Sequence, residues 1–188
     1  MTKRDDADNP ARWYTFNMFA SADCKKAVQA LIEAGYRRIG EDSAFGVVLA
    51  HSHMPDRVVK IAHRPKDDGW LPFIDHARNC PSEHLPTVYD YEEHETYAVA
   101  VLETLEPLDW RTNPGPSDTF NSASAAGERR PEVWEQYKRV LPPELGDVLQ
   151  GLRDCFLEEW HFDLHAGNFM LRGDTLVVTD PLSYRRGQ

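Results

Sequence analysis

A two-lobed α+β fold is what this sequence predicts, on three observations. Short β-branched runs at 36–39, 46–50 and 57–62, separated by turn residues, read as a three-stranded antiparallel meander, and runs at 87–91 and 97–102 raise the count to five strands. A stretch loaded with Pro, Gly, Ser, Asn and Thr at 107–131 then breaks the pattern. Beyond it helical spacing takes over, followed by a closing hairpin that carries the polar motifs. Strands with one inserted helix, then a linker, then helices, make an α+β plan with a cleft between lobes.

Each element has its own signal. Residues 1–12 are polar and acidic and are expected to be an arm, with the first lobe at 13–105, a linker at 106–131 and the second lobe at 132–188. Ser21 can cap a helix over 22–34, where Val28, Leu31 and Ile32 recur at helical spacing and Gly35 marks the end. Turn chemistry at Glu41-Asp42-Ser43 and at Met54-Pro55-Asp56 separates the meander strands. A helix from Asp67 or Asp68 to about residue 78 places Leu71, Ile74 and Ala77 on one face, provided Pro72 sits in its first turn. Two helices are expected at 131–141 and 143–160. Leu145, Val148, Leu149, Leu152, Phe156 and Leu157 form the apolar stripe of the second. The hairpin pairs 169–171 with 175–179 around Arg172-Gly173-Asp174. The five tryptophans are expected to be packing residues.

Composition narrows the function classes. With 188 residues, 41% hydrophobic and 28% charged, the chain has globular composition, and no apolar run approaches the ~20 residues of a membrane span. The start lacks the pattern of a secretory signal, because Lys3-Arg4 run into Asp5-Asp6. Three cysteines without a C-x-x-C arrangement argue against a disulfide framework or a zinc site and suit a reducing cytoplasm. A net charge of -10 disfavours broad attraction to nucleic acid or anionic membrane. Neither is expected as a partner.

The chemistry lies near the C-terminal end. His161-Phe162-Asp163-Leu164-His165-Ala166-Gly167-Asn168 is followed by the apolar run Leu176-Val177-Val178-Thr179, which delivers Asp180-Pro181. Phosphoryl transfer asks a protein for a cation on the phosphates, oxygen ligands for a hard metal ion and a carboxylate beside the attacking hydroxyl. Asp163 would orient the hydroxyl, Asn168 and Asp180 would hold magnesium, and Lys60, read as closing the strand 57–60, would reach the phosphates of ATP. The turn from Gly40 through Ser43 and Gly46 to Val48 would cover the nucleotide. A strand lysine or a glycine turn alone is ordinary surface; the Asp-x4-Asn spacing ahead of a hairpin and an Asp is the specific part. His161 and His165 lack the partners of a metal site and read as braces for the loop.

These motifs resemble the eukaryotic-type protein kinases, and among them the early serine/threonine protein kinases of T-seven-like bacteriophages. The similar stretches are Ala34-Gly35-Tyr36 through Gly40, Met54 through Lys60, Leu85 through Asp90, Phe162 through Asn168, and Thr179-Asp180-Pro181, so the resemblance spans most of 22–183. It implies a kinase-like fold with a five-stranded antiparallel first lobe, one inserted helix and a truncated, mainly helical second lobe. It also implies ATP and magnesium as cofactors and host bacterial proteins as substrates in the host cytoplasm. By position Lys60 becomes the phosphate-binding lysine, Leu102-Glu103-Thr104-Leu105 the adenine-binding hinge with Glu103 and Leu105 at the nucleotide, Asp163 the catalytic aspartate, and Asn168 and Asp180 the metal ligands.

Departures from the pattern shape the expectation. Glu41 and Ser43 stand where such kinases carry glycines, and no glutamate on the inserted helix can pair with Lys60, leaving Asp67, Asp68 or Asp75. Asp180 is followed by Pro181-Leu182, and the eight residues beyond it leave little room for an activation loop, substrate-binding helices or the family's transcription-shutoff region. Targets would then be recruited by the 107–131 loop, the acidic arm or a homodimer surface. Two other readings stand beside an active kinase. One is a catalytically weak kinase-like binder that inhibits a host protein. The other is a small-molecule phosphotransferase of the aminoglycoside type, against which the absence of a large helical substrate lobe counts.

Overall fold

The structure, a computed structural model, describes residues 20–40, 46–63, 69–108, 131–139, 141–164 and 166–185. Ser21 opens helix α1 (Ala22–Glu33) by accepting the Cys24 N–H on its hydroxyl at 3.1 Å. The helix ends in paired bonds from Gly35 N–H to the Ile32 carbonyl and from Tyr36 N–H to the Leu31 carbonyl, the Schellman arrangement that Gly35 signals. Strands β1 (Arg37–Ile39), β2 (Gly46–His51) and β3 (Met54–His63) follow as the expected antiparallel meander. Its second turn is displaced: the chain reverses at Ser52-His53, while Met54-Pro55-Asp56 belongs to β3. Pro55 is tolerated there because the register slips between Ala50 and His51, so its missing N–H breaks no regular ladder bond.

Strands β4 (Val88–Glu93) and β5 (Tyr97–Glu103) complete a sheet ordered β1-β2-β3-β5-β4, with β3 at its centre. Cross-strand partners share a face. Val47, Ile61 and Val99 form one row and Leu49, Val59 and Val101 the next. These residues pack with Ala20, Cys24 and Val28 from the α1 region, giving the sheet its apolar core on that side.

Helix α2 (Trp70–Asn79) keeps Pro72 within its first turn, as its missing N–H requires, and buries Trp70, Phe73, Ile74 and Ala77. The short strand β6 (Glu106–Pro107) precedes helices α3 (Pro131–Lys138) and α4 (Pro143–Phe156). Helix α3 stops short of the expected residue 141 because Pro142 disfavours helical geometry at Leu141. Helix α4 stops short of 160. Glu158 and Glu159 would have placed two negative charges at the negative pole of the helix, and the chain turns instead into β7 (Trp160–Phe162). A 3-10 turn (Ala166–Asn168), β8 (Phe169–Arg172), β9 (Thr175–Val178) and β10 (Leu182–Arg185) complete the order. The hairpin falls where expected, whereas β6, β7 and β10 had no sequence expectation.

The chain divides into two compact units, Met1–Lys66 with Val88–Thr104, and Asp67–Thr87 with Leu105–Gln188. Helix α2 belongs with the second unit, where it lies against β10. In that unit α3 and α4 are joined by a hydrogen bond from the Trp134 indole N–H to the Gln150 side-chain oxygen and by the Arg153 guanidinium 4.9 Å from the Trp134 ring centroid. Trp70, Trp134 and Trp160 are all buried packing residues; Trp13 and Trp110 lie outside the described residues. No helix among the described residues is long and apolar enough to cross a membrane.

Candidate active site

The three polar residues near the C-terminal end are tied together by the backbone around them. Strand β7 pairs antiparallel with β10, with Phe162 opposite Leu182, so Asp163 just beyond β7 lies beside Pro181 just ahead of β10. The Asp163 N–H donates to the Pro181 carbonyl at 2.8 Å. Asn168, ending the 3-10 turn, donates its side-chain amide to the Asp163 carbonyl at 2.7 Å. The hairpin then returns the chain. Phe169 pairs with Val178, which brings Thr179 to Asn168, and the Thr179 N–H and hydroxyl both donate to the Asn168 carbonyl, at 2.8 and 3.1 Å. Asp180 follows Thr179 and precedes Pro181, so the hydrogen bonds close a circuit through all three residues.

Asp163, Asn168 and Asp180 are each half-buried, so the scaffold holds their backbones without sealing their side chains away. Leu164 and Leu182, buried on either side, anchor the two chain segments. The donor set suits a hard cation. With its NH2 committed to Asp163, the Asn168 amide keeps its oxygen for a ligand, and the carboxylates add further oxygens, which is magnesium chemistry rather than zinc chemistry. No group of three or more His, Cys, Asp or Glu among the described residues could hold a metal ion, so such a site would complete its shell with water and phosphate oxygens, as magnesium sites do.

The hairpin that presents Asn168 and Thr179 is braced on both edges. On one side β6 pairs with β8. On the other, the segment after α2 lies along β9: the Val178 N–H donates to the His84 carbonyl at 3.0 Å, and the His84 ring Nδ1 lies 2.7 Å from the Leu176 carbonyl. A carbonyl only accepts, so that contact assigns the proton to Nδ1. The Arg172 guanidinium spans the Glu83 and Leu85 carbonyls at 2.5 and 2.9 Å. Sequence reasoning missed His84, Arg172 and Thr179. Only Thr179, the first polar residue after an apolar strand and next to Asp180, carried any signal. His161 lies in β7, where its carbonyl accepts the Ser183 hydroxyl at 3.4 Å; His165 lies outside the described residues.

Lys60 sits in the first unit. The reading of Lys60 as a strand end is corrected: β3 runs on to His63, so Lys60 occupies the middle of the sheet's central strand, opposite Val48 on β2 and Ala100 on β5. Gly46 pairs with Ala62, two residues along. Gly46, Val48 and Lys60 therefore share one sheet face, the one turned away from α1. Gly46 is required by close approach, since a Cβ there would lie 2.7 Å from the Ile61 carbonyl oxygen. Gly40 takes a left-handed conformation at φ 79°, and Ser43 lies outside the described residues. Glu103 ends β5 opposite Arg57, the Thr104 N–H donates to the Asp56 carbonyl at 2.9 Å, and Leu105 begins the second unit.

The family model described as bacteriophage T7 protein kinase 0.7 matches residues 17–188. The chain belongs to that family. Among solved structures, Rad53 1-466 in complex with AMP-PNP is similar, with 17% identity and a TM-score of 0.42 over 83% of this chain and 42% of that one. This chain thus spans less than half the length of that protein. Among curated proteins none matches. Membership of the phage kinase family makes the polar circuit a candidate phosphotransferase site, with Asp163, Asn168 and Asp180 as its candidate residues in the second unit; Lys60 is a separate candidate in the first.

Proposed function

We propose that this protein is a serine/threonine protein kinase that transfers the γ-phosphate of ATP to hydroxyls of host bacterial proteins in the host cytoplasm. The observation that carries the reading is the hydrogen-bonded circuit joining Asp163, Asn168, Thr179 and Pro181, which holds the Asn168 amide and the backbones that carry Asp163 and Asp180 in one loop cluster of a phage kinase family member.

Asp163 accepts the hydrogen bond of the attacking serine or threonine hydroxyl, orients its oxygen toward the γ-phosphorus and receives its proton. Asn168 and Asp180 would hold magnesium through their side-chain oxygens. When bound, magnesium neutralises charge on the phosphate oxygens. Lys60 supplies an ammonium to the phosphates from the sheet face it shares with Gly46 and Val48, and that face covers the nucleotide. Glu103 and Leu105 belong to the segment that holds the adenine. Targets are recruited through residues between β6 and α3 or in the acidic stretch 1–12, both outside the described residues, or through a homodimer surface.

The test is transfer of label from [γ-32P]ATP to protein hydroxyls, with phosphoserine and phosphothreonine identified by mass spectrometry. Asp163→Ala should lower the rate by about 10²- to 10⁴-fold, the range typical of a general base, and Asp180→Ala should abolish magnesium-dependent turnover. Phosphosite profiles of cells expressing wild type and Asp163→Ala should differ. Identical profiles would remove the case for a cellular kinase.

A further inference from the structure

We infer that Thr179 is a positioning residue for the metal ligands, acting through its hydroxyl; the inference rests on the reading of Asn168 and Asp180 as magnesium ligands. Thr179 places two donors on one acceptor, its N–H at 2.8 Å and its hydroxyl at 3.1 Å from the Asn168 carbonyl. A carbonyl oxygen has two lone pairs, and here both can be filled by the same residue. The backbone bond alone would hold the two chains together. The hydroxyl adds a second link that fixes the Thr179 side chain and, with it, the orientation of the backbone that leads directly into Asp180.

The same carbonyl belongs to Asn168, whose amide is in turn fixed on Asp163. Both proposed ligands therefore hang from one junction: Asn168 is the acceptor residue, and Asp180 is the next residue after the donor. Strand propensity does not account for threonine here. Leu176-Val177-Val178 precedes it, and valine at 179 would continue that run equally well. What threonine adds is the hydroxyl, at the point where the strand gives way to the site. Partners that orient metal ligands commonly contribute 10- to 100-fold to metal affinity, and Thr179 is assigned that role.

The experiment compares wild type, Thr179→Val and Thr179→Ser by calorimetric titration with ADP, with and without magnesium, reading only the gain in affinity that magnesium produces. Valine keeps the shape and the backbone N–H but removes the hydroxyl; serine keeps the hydroxyl. The magnesium-dependent gain should fall about 10-fold in Thr179→Val and stay at the wild-type level in Thr179→Ser. In the metal-free protein, amide exchange at Asp163 and Thr179 should accelerate in Thr179→Val alone. Should the valine variant unfold, the comparison is read from Thr179→Ala against Thr179→Ser. Equal gains in all variants, or equal losses in the valine and serine variants, overturn the inference and leave the proposed function standing. A wild-type protein that gains no ADP affinity from magnesium overturns both.

Discussion

The Asn168 side chain illustrates why residue type and spacing pointed to a candidate site while its wiring stayed hidden. An amide has a donor end and an acceptor end; the fold commits the donor to the Asp163 carbonyl, so only the oxygen remains for a cation. Asparagine five residues after aspartate could be read from the sequence as a candidate ligand spacing because hard-metal chemistry restricts the side chains that serve. The partners of those residues could not. The Asp163 N–H bonds to the Pro181 carbonyl and Arg172 bonds to the Glu83 and Leu85 carbonyls, and a main-chain acceptor has no residue signature. The cysteines give a residue-scale prediction of their own. Cys24 is completely buried beneath the sheet, and burial pushes its thiol up to about 11 against the opposing influence of Lys25, whereas Cys80 and Cys155 are exposed. A raised pKa keeps the thiol protonated, and only the thiolate reacts. Alkylation of the native protein at about pH 8 should therefore modify Cys80 and Cys155 and spare Cys24, with Cys24 reacting after denaturation. Peptide mapping reads this directly, and early labelling of Cys24 would contradict the packing of α1 on the sheet.

Among the elements, the five-stranded sheet was legible from its β-branched runs, although Met54-Pro55-Asp56, read as a turn, lies inside β3. The elements around the candidate site were less so. Strands β7 and β10 are short and pair with each other from opposite ends of the polar loop, so neither carries enough alternation to be recognised alone. Trp160 instead looked like the end of the preceding helix. Gly69 shows how tightly β10 is held. It precedes Trp70, the first residue of α2, donates its N–H to the Ser183 carbonyl at 2.7 Å, and leaves no space for a side chain: a Cβ would lie 2.5 Å from the Leu182 Cβ and 2.6 Å from the Ser183 oxygen. Gly69→Ala should therefore destabilise the second unit by about 1–3 kcal/mol through overpacking. Because Leu182 lies two residues beyond Asp180, the same change should weaken the Asp163 N–H bond to the Pro181 carbonyl. Denaturant unfolding measures the first effect, and amide exchange at Asp163 measures the second. An unchanged midpoint and unchanged exchange would show that β10 can yield without cost.

At the scale of the whole molecule, two explanations of the same chain must be separated, a phosphotransferase and a kinase-like binder that has lost nucleotide chemistry. Glu41 and Ser43, which stand where such kinases carry glycines and lie outside the described residues, favour the binder, because an acidic side chain beside a triphosphate repels it. Asp163, Asn168 and Asp180 favour the enzyme, since a chain that only sequesters a partner has no physical need for two acidic residues and an amide gathered in one loop cluster by the main-chain bonds through Thr179 and Pro181. Ligand linkage decides between them. A ligand that binds only the folded state stabilises it by RT ln(1 + [L]/Kd), about 2.7 kcal/mol at a free concentration one hundred times Kd. For a chain of this size that corresponds to a rise in Tm of about 5–10 °C. ATP with magnesium should produce such a rise in the wild-type protein, ATP with excess chelator should produce a smaller one, and Asp180→Ala should lose the difference between the two conditions. The binder predicts flat melting curves with every nucleotide, because a surface that grips a protein gains nothing from ATP. An equal rise with and without magnesium would retain nucleotide binding but remove Asn168 and Asp180 as metal ligands, and the assignment of catalysis to this circuit would go with them.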